Sequence, residues 1–511
     1  MKDYDFQLYK LSVLQTSNFT NFQLNKMSKK IVIDPVTRVE GHGKVTIQLD
    51  DKGNVKDSKF HIVEFRGFEK FIQGHPYWQA PLVVQRLCGI CPVSHHLAAA
   101  KAIDQIVGID PEDLSPTATK IRKLLHYGQV FQSHALHFFY LAAPDLLFGV
   151  DADPAIRNVV GVAQEHPELA KKGILMRKFG QEMIKTTAGK KIHGIAAVPG
   201  GIHKNLRRNE IDYFLDGKEI PSIDTMIEWC LEVIDFMKGY HKEHAAWLDT
   251  FAAYPSGHLG LVSKDGTGAL DLYDGRLRAI DSTGIITLND IPDFQYHKFL
   301  NEDVERWSYL KFPYIKHLGR ENGWNRVGPL GRLNVCNSIS TPLAEKERKE
   351  FMSYTSGKPN NMTMHTHLAR LIETLHAAEI MKELLHDEDI TGDELVREGV
   401  RRNEGIGVIE APRGTLIHHY KVDDAGKIEK CNLIVSTTHN NDPMNKAVGW
   451  VAQNVIDKKE KITEGMLNQV EVAIRAYDPC LSCATHAMGK MPLQLSIFNN
   501  EGELIDEKFK S

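Results

Sequence analysis

Two cysteine pairs far apart in the chain constrain it most. "RLCGICPVSHH" (86–96) sets Cys88 and Cys91 three positions apart, and "DPCLSCATH" (478–486) does the same with Cys480 and Cys483. Between Cys91 and Cys480 lie 388 residues. A CxxC turn lets two sulfurs reach one metal, and two such turns complete a four-sulfur site for a soft cation. A fold that joins them must bring distant segments to one point. Zinc ribbons usually separate their pairs by tens of residues, because there the metal replaces a core in a small domain. A chain of 511 residues can bury a core without that staple. The residues alone leave three readings open: a structural zinc, a catalytic metal or cluster, and a redox dithiol.

The remaining cysteines, Cys230, Cys336 and Cys431, are isolated and read as buried small hydrophobes. An odd, low count with no export-signal pattern points to a reducing compartment and against a disulfide framework. Charge is nearly balanced, 62 Lys+Arg against 66 Asp+Glu. That balance carries no basic footprint for nucleic acid or an anionic membrane. The most apolar run, "FFYLAAPDLLFGV" (138–150), is too short to span a bilayer and carries Pro144 and Asp145.

Residues 1–26 show little periodicity, and "MSKKIVIDP" from Met27 reads like an ordinary start. Residues 1–26 are therefore expected to be a detachable extension. Alternating runs around "DDKGN" predict an N-terminal hairpin. Apolar residues at helical spacing predict long helices over 93–108, 117–141, 222–247 and 362–386. Gly- and Pro-bearing stretches at 198–204, 355–361 and 410–416 read as separators, and 421–438 as another hairpin. The expected fold is mixed α+β and predominantly helical, a bundle of long helices with small β-containing additions.

The flanks of the cysteine pairs narrow the chemistry. His95 and His486 follow the two pairs, Asp478 and Pro479 precede the second, and Glu40 and Glu69 stand in "RVEGH" and "FRGFE". Arg413 follows Pro412 in "APRG". The chain resembles the large subunit of nickel–iron hydrogenases. Residues 86–95 match that family's R-x-C-G-x-C-x-x-x-H at every fixed position, and 478–486 match D-P-C-x-x-C-x-x-H/R. "RVEGH", "FRGFE", "PGG" and "APRG" occur in the family's order, and the resemblance covers roughly residues 30 to 511.

The resemblance implies nickel held by Cys88, Cys91, Cys480 and Cys483. Cys91 and Cys483 would bridge to an iron carrying cyanide and carbon monoxide. It implies heterolytic splitting of H2, with the proton taken by Cys480 and relayed by Glu40. Arg413 would be suspended over the metals beside Pro412 and oriented by Asp478, and His95 would tune Cys91. A magnesium would be held by Glu69, a backbone carbonyl near Leu433, and His486. Maturation would involve nickel-insertion proteins and a protease cutting between His486 and Ala487, so that 487–511 is a maturation peptide and 27–486 the catalytic domain. With no further cysteine cluster, the chain carries no iron–sulfur centre, and electrons must leave through an iron–sulfur small subunit. "EFRGFEKF", "SHALHFFYLAAPD" and "EAPRGTLIHHYK" most resemble the cytoplasmic branch, so the resemblance implies a cytoplasmic location, with the methyl-viologen-reducing, heterodisulfide-reductase-linked type the nearer match and the NAD-coupled type with a diaphorase module next. One departure stands out. Membrane-bound relatives carry His-Asp-His in the helix after the first pair, whereas here His134 is preceded by Ser133.

Overall fold

The structure is a computed structural model and describes residues 30–485, 493–498 and 504–510. The extension 1–26, His486 and Ala487 lie outside the described residues. Strands β1 (Lys30–Ile33), β2 (Gly43–Leu49) and β3 (Val55–Ile62) form an antiparallel sheet in that order. In β2, alternate residues Val45, Ile47 and Leu49 are buried, as strand periodicity requires of a sheet with one face on the core.

Helix α1 (Pro92–Ile106) begins directly after Cys91, with Pro92 in its first turn, where the missing amide hydrogen costs nothing. Helix α2 (Pro116–Leu136) is capped by Ser115, whose hydroxyl accepts from Ala118 N at 3.1 Å. It runs on into a π-helical segment, His137–Ala142. Helix α3 (Pro167–Ala188) packs along α2, and α4 (Ile223–Leu248) lies beyond. Between the bundle and the C-terminal part comes a sheet of β4 (Gly257–Val262), β5 (Arg276–Ile280) and β6 (Ile286–Ile291), flanked by the short strand Asn325–Arg326. Helix α5 (Pro329–Val335) rests on β4. Helix α6 (Thr366–Leu385) packs against both α2 and α4 and is buried nearly all round, including Arg370, Glu373 and His376.

The strands β7 (Glu404–Ala411), β8 (Gly414–Val422) and β9 (Ile428–Ile434) form a second antiparallel sheet. Here the structure corrects the reading of 410–416 as a separator. Ala411 pairs with Gly414, so Pro412–Arg413 is a two-residue hairpin turn inside continuous strands. The segment read as a hairpin over 421–438 ends at Ile434, and Ser436–His439 turns helical. Helix α1 lies directly on β7. A Cβ on Gly405 would stand 1.9 Å from Ala102 O, and one on Gly407 2.0 Å from Ala98 O. Only glycine lets the helix backbone come this close. Helix α7 (Glu464–Arg475) then leads to the short helix α8 (Leu481–Ala484). Among the described residues no helix is long and apolar enough to cross a membrane.

Candidate metal centre

Two helix starts meet at the centre. Cys91 precedes α1 and Cys480 precedes α8, so each CxxC turn opens a helix, with Cys88 just ahead of one and Cys483 inside the other. All four cysteines are buried and none is disulfide-bonded. Sγ–Sγ separations are 3.3 Å for Cys88–Cys480, 3.5 Å for Cys91–Cys483 and 2.7 Å for Cys480–Cys483. Two thiolates sharing one metal at about 2.3 Å stand at most about 4.6 Å apart. The three close separations all fall inside that limit, and the four sulfurs gather within 4.8 Å of one another. Burial pushes the Cys480 and Cys483 thiols well above the ordinary range. Burial also opposes ionisation of Cys88, but hydrogen bonds from Cys480, Cys483 and Cys91 and the charge of Arg413 outweigh it and hold that thiol well below. Four bare thiolates are disfavoured in so dry a site, and cations among them would supply the compensation.

Glu40 touches the quartet. Cys480 Sγ donates to Glu40 Oε2 at 3.0 Å, and Ser482 N donates to the same oxygen at 3.1 Å. Ser482 Oγ donates to Oε1. Leu481 N donates to Glu40 O at 2.9 Å, which ties the two segments together as a bridge. The loop before Glu40 is pinned from α7: Thr37 N and Oγ1 donate to Glu471 at 2.7 and 2.9 Å, and Arg475 Nε donates to Thr37 O at 3.2 Å.

Arg413 projects from the β7–β8 turn. Its Nε donates to Asp478 O at 2.6 Å, Nη2 to Asp478 Oδ1 at 3.0 Å, and Nη1 to Ser133 Oγ at 3.3 Å. Burial opposes its charge, but Asp478 and the nearby sulfurs of Cys480, Cys91 and Cys88 push its pKa well above the usual range, so it stays protonated. Burial raises the Asp478 carboxyl against the pull of Arg413 and Arg370. A cavity between the hairpin turn and the thiols is lined by Cys91, His95, Pro412, Arg413, Cys480 and Cys483. His95 Nδ1 lies 3.1 Å from His418 Nε2.

Glu69 and Leu433 come together as well: Leu433 N donates to Glu69 Oε1 at 2.8 Å. Lys311 Nζ stands 3.8 Å from the same oxygen. The Glu69 carboxylate is the kind of oxygen a hard cation takes, while the Leu433 amide hydrogen and the Lys311 ammonium beside it are not ligands.

Sequence reasoning missed Ser482, Thr437, which accepts from Cys480 N at 3.0 Å, and the buried Arg332 and Glu373 under the hairpin. Ser482 could have been singled out as the one hydroxyl between the second pair of cysteines. Arg332 in "GPLGRLN" carries no spacing signal.

A second group, His241, Asp249 and His365, gathers ligand-type atoms within 4.8 Å. Both imidazoles reach Asp249 Oδ1 through Nε2, at 2.7 and 2.8 Å. Asn360 Oδ1 accepts from Met362 N at 3.0 Å, so its amide nitrogen must donate to His365 Nδ1, 2.8 Å away. That leaves the hydrogen on Nε2, aimed at the carboxylate. A metal-ligating imidazole needs the opposite tautomer, so this group is a hydrogen-bonded clamp.

Comparison with known proteins identifies the family of the chain. A HoxL-like family matches residues 30–65, and the nickel-dependent hydrogenase family matches 66–172 and 281–486. The chain belongs to the nickel-dependent hydrogenase family. It is similar to the NAD-reducing hydrogenase HoxS subunit beta of Cupriavidus necator, 52% identical over 492 residues, covering 94% of this chain and 100% of the relative. It is also similar to a chain of the F420-non-reducing hydrogenase vhc of Methanococcus voltae, 42% identical over 479 residues, covering 93% of this chain and 98% of that protein. Among solved structures, an NAD+-reducing [NiFe]-hydrogenase in the H2-reduced state superposes with a TM-score of 0.86 at 53% identity, covering 90% of this chain and all of that one. The family, the large-subunit fold and the enzyme class expected from the motifs are thereby borne out. The protein is the large subunit of a nickel–iron hydrogenase, and both expected subtypes are among its relatives.

Proposed function

We propose that this hydrogenase oxidises H2 reversibly and passes the electrons through an iron–sulfur small subunit to a diaphorase-type module that reduces NAD. The observation that favours NAD is the 52% identity across the full length of an NAD-reducing relative, against 42% for an F420-non-reducing one. The heterodisulfide-reductase-linked reading is the runner-up, favoured by relatives of the F420-non-reducing kind. The location that goes with either reading is cytoplasmic.

When bound, a nickel–iron pair with cyanide and carbon monoxide on the iron supplies the redox chemistry that splits H2. Cys88, Cys91, Cys480 and Cys483 would hold nickel, and Cys91 and Cys483 would also serve the iron. Cys480 takes the proton, and its contact with Glu40 Oε2 at 3.0 Å makes that carboxylate the acceptor. Ser482 keeps Glu40 turned toward the sulfur through its amide and hydroxyl. Arg413 holds a fixed positive charge over the thiolates, with Asp478 setting its orientation and Pro412 lining the same cavity. His95 tunes Cys91. Glu69, the Leu433 carbonyl and His486 would hold magnesium. Nickel-insertion proteins load the site, and cleavage between His486 and Ala487 follows.

The test is H2-driven reduction by the anaerobically purified native complex. NADH formation without added dye supports the proposal. Activity toward viologen alone, with heterodisulfide-reductase components co-purifying, would move the assignment to the runner-up.

A further inference from the structure

Arg332 lies wholly buried beneath the hairpin that carries Arg413. A guanidinium has five N–H bonds to donate, and Arg332 uses all of them. Nε and Nη2 reach the two Glu373 oxygens at 2.6 and 2.5 Å. Nη1 donates to Glu410 Oε2 at 2.7 Å and Ala411 O at 2.9 Å, and Nη2 donates to Pro412 O at 3.1 Å. The last two acceptors are the carbonyls immediately before Arg413. Thr415 Oγ1 donates to Glu410 Oε1 at 2.6 Å and so closes the base of the hairpin from its other strand.

The same network reaches the tip. Glu373 also meets His134 Nε2 at 3.0 Å, and the adjacent Ser133 accepts from Arg413 Nη1 at 3.3 Å. Among the described residues, Arg413 has its charged partner on the Asp478 side, and toward α2 it meets a neutral hydroxyl at 3.3 Å. Asp478 orients the tip, while the backbone of the turn sets where the side chain starts. We infer that Arg332 is a positioning residue for Arg413, clamping the turn that aims the guanidinium over the thiol quartet. The inference rests on the role proposed above for Arg413, although no hydrogen bond from Arg332 reaches a sulfur.

A charged cluster of this kind could also serve folding alone. A double-mutant cycle in the loaded native complex separates the two roles. Arg332→Lys keeps the charge among Glu373 and Glu410, but its three hydrogens cannot also hold both carbonyls. It should lower kcat about tenfold or more while KM for H2 stays within about twofold. In an Arg413→Lys background the same change should cost less than about twofold. In the crystal structure of Arg332→Lys, Arg413 should have left Asp478. An equal factor in both backgrounds, or an unmoved Arg413, would overturn the inference. If Arg332→Lys does not fold, the isosteric Glu410→Gln takes its place: a loss suppressed in Arg413→Lys supports the role, and an equal loss in both refutes it. Should Arg413→Lys by itself leave kcat intact, the proposed role of Arg413 fails separately, and the position of Arg413 in the Arg332→Lys crystal structure decides the clamp alone.

Discussion

Replacing Gly405 by alanine should damage the metal centre from a distance. The added Cβ would stand 1.9 Å from Ala102 O of α1, where the closest ordinary carbon–oxygen contact is about 3.3 Å. The obstacle is helix backbone, so α1 must recede by more than about 1 Å relative to β7. Overpacking of this sort costs about 1–3 kcal/mol, and a backbone obstacle places it near the upper end. In a melting experiment on a chain this long that is a drop of about 2–3 °C. The helix begins at Cys91, and Cys91 Sγ is 3.5 Å from Cys483 Sγ. A further 1 Å or so brings that pair to the limit of about 4.6 Å for sulfurs on one metal. Gly405→Ala should therefore both melt earlier and retain less nickel, and Gly407→Ala should behave alike. Gly239→Ala is the control: it lies inside α4, its Cβ meets nothing within 4 Å, and it should be neutral or stabilising by up to about 1 kcal/mol. A Gly405→Ala protein with native melting and full nickel would refute the close-packing argument.

Other outcomes follow from the same geometry. Glu40→Gln keeps the bulk beside Cys480 but cannot take its proton, so kcat should fall about 10²–10⁴-fold with nickel content unchanged; native turnover would remove Glu40 from the proton route. Acid should progressively destabilise the protein below about pH 6.5 and unfold it near pH 5. Burial holds His126, His258, His367 and His439 at about 3, and His96, His134 and His376 at about 4. Such groups bind protons only once unfolded, so each removes about 1.4 kcal/mol per pH unit below its unfolded value of about 6.5 until its folded value is reached. Circular dichroism should show loss of structure near pH 5, and a fold intact at pH 4 would contradict the buried neutral state of these side chains.

What was legible in the sequence follows from how local each signal is. The long helices could be read because apolar residues recur on one face over many turns. Helix α6 was found this way although it buries Arg370 and Glu373, since Leu368, Leu371, Ile372 and Leu375 keep the spacing. The sheet β4–β6 gave no comparable pattern, because its strands are short and almost wholly buried in β4 and β5. The hairpin carrying Arg413 was hidden by Pro412 and Gly414, which punctuate a two-residue turn in the same way as a loop. The thiol quartet was legible because CxxC spacing is itself the geometry of the site. Arg332 was not, since its partners Glu373 and Glu410 lie far along the chain and meet it only after folding.

The most direct measurement is the metal content of the protein purified without oxygen from its native host, alongside Cys480→Ser prepared in the same way. A nickel–iron centre in the quartet requires about one nickel per chain with iron beyond that of the partner's clusters, and nickel lost together with hydrogen uptake in the variant. About one zinc per chain, no nickel and an unchanged variant would mean that the four thiols are a structural staple, and the assignment of Cys480, Glu40 and Arg413 to hydrogen chemistry would fall with it.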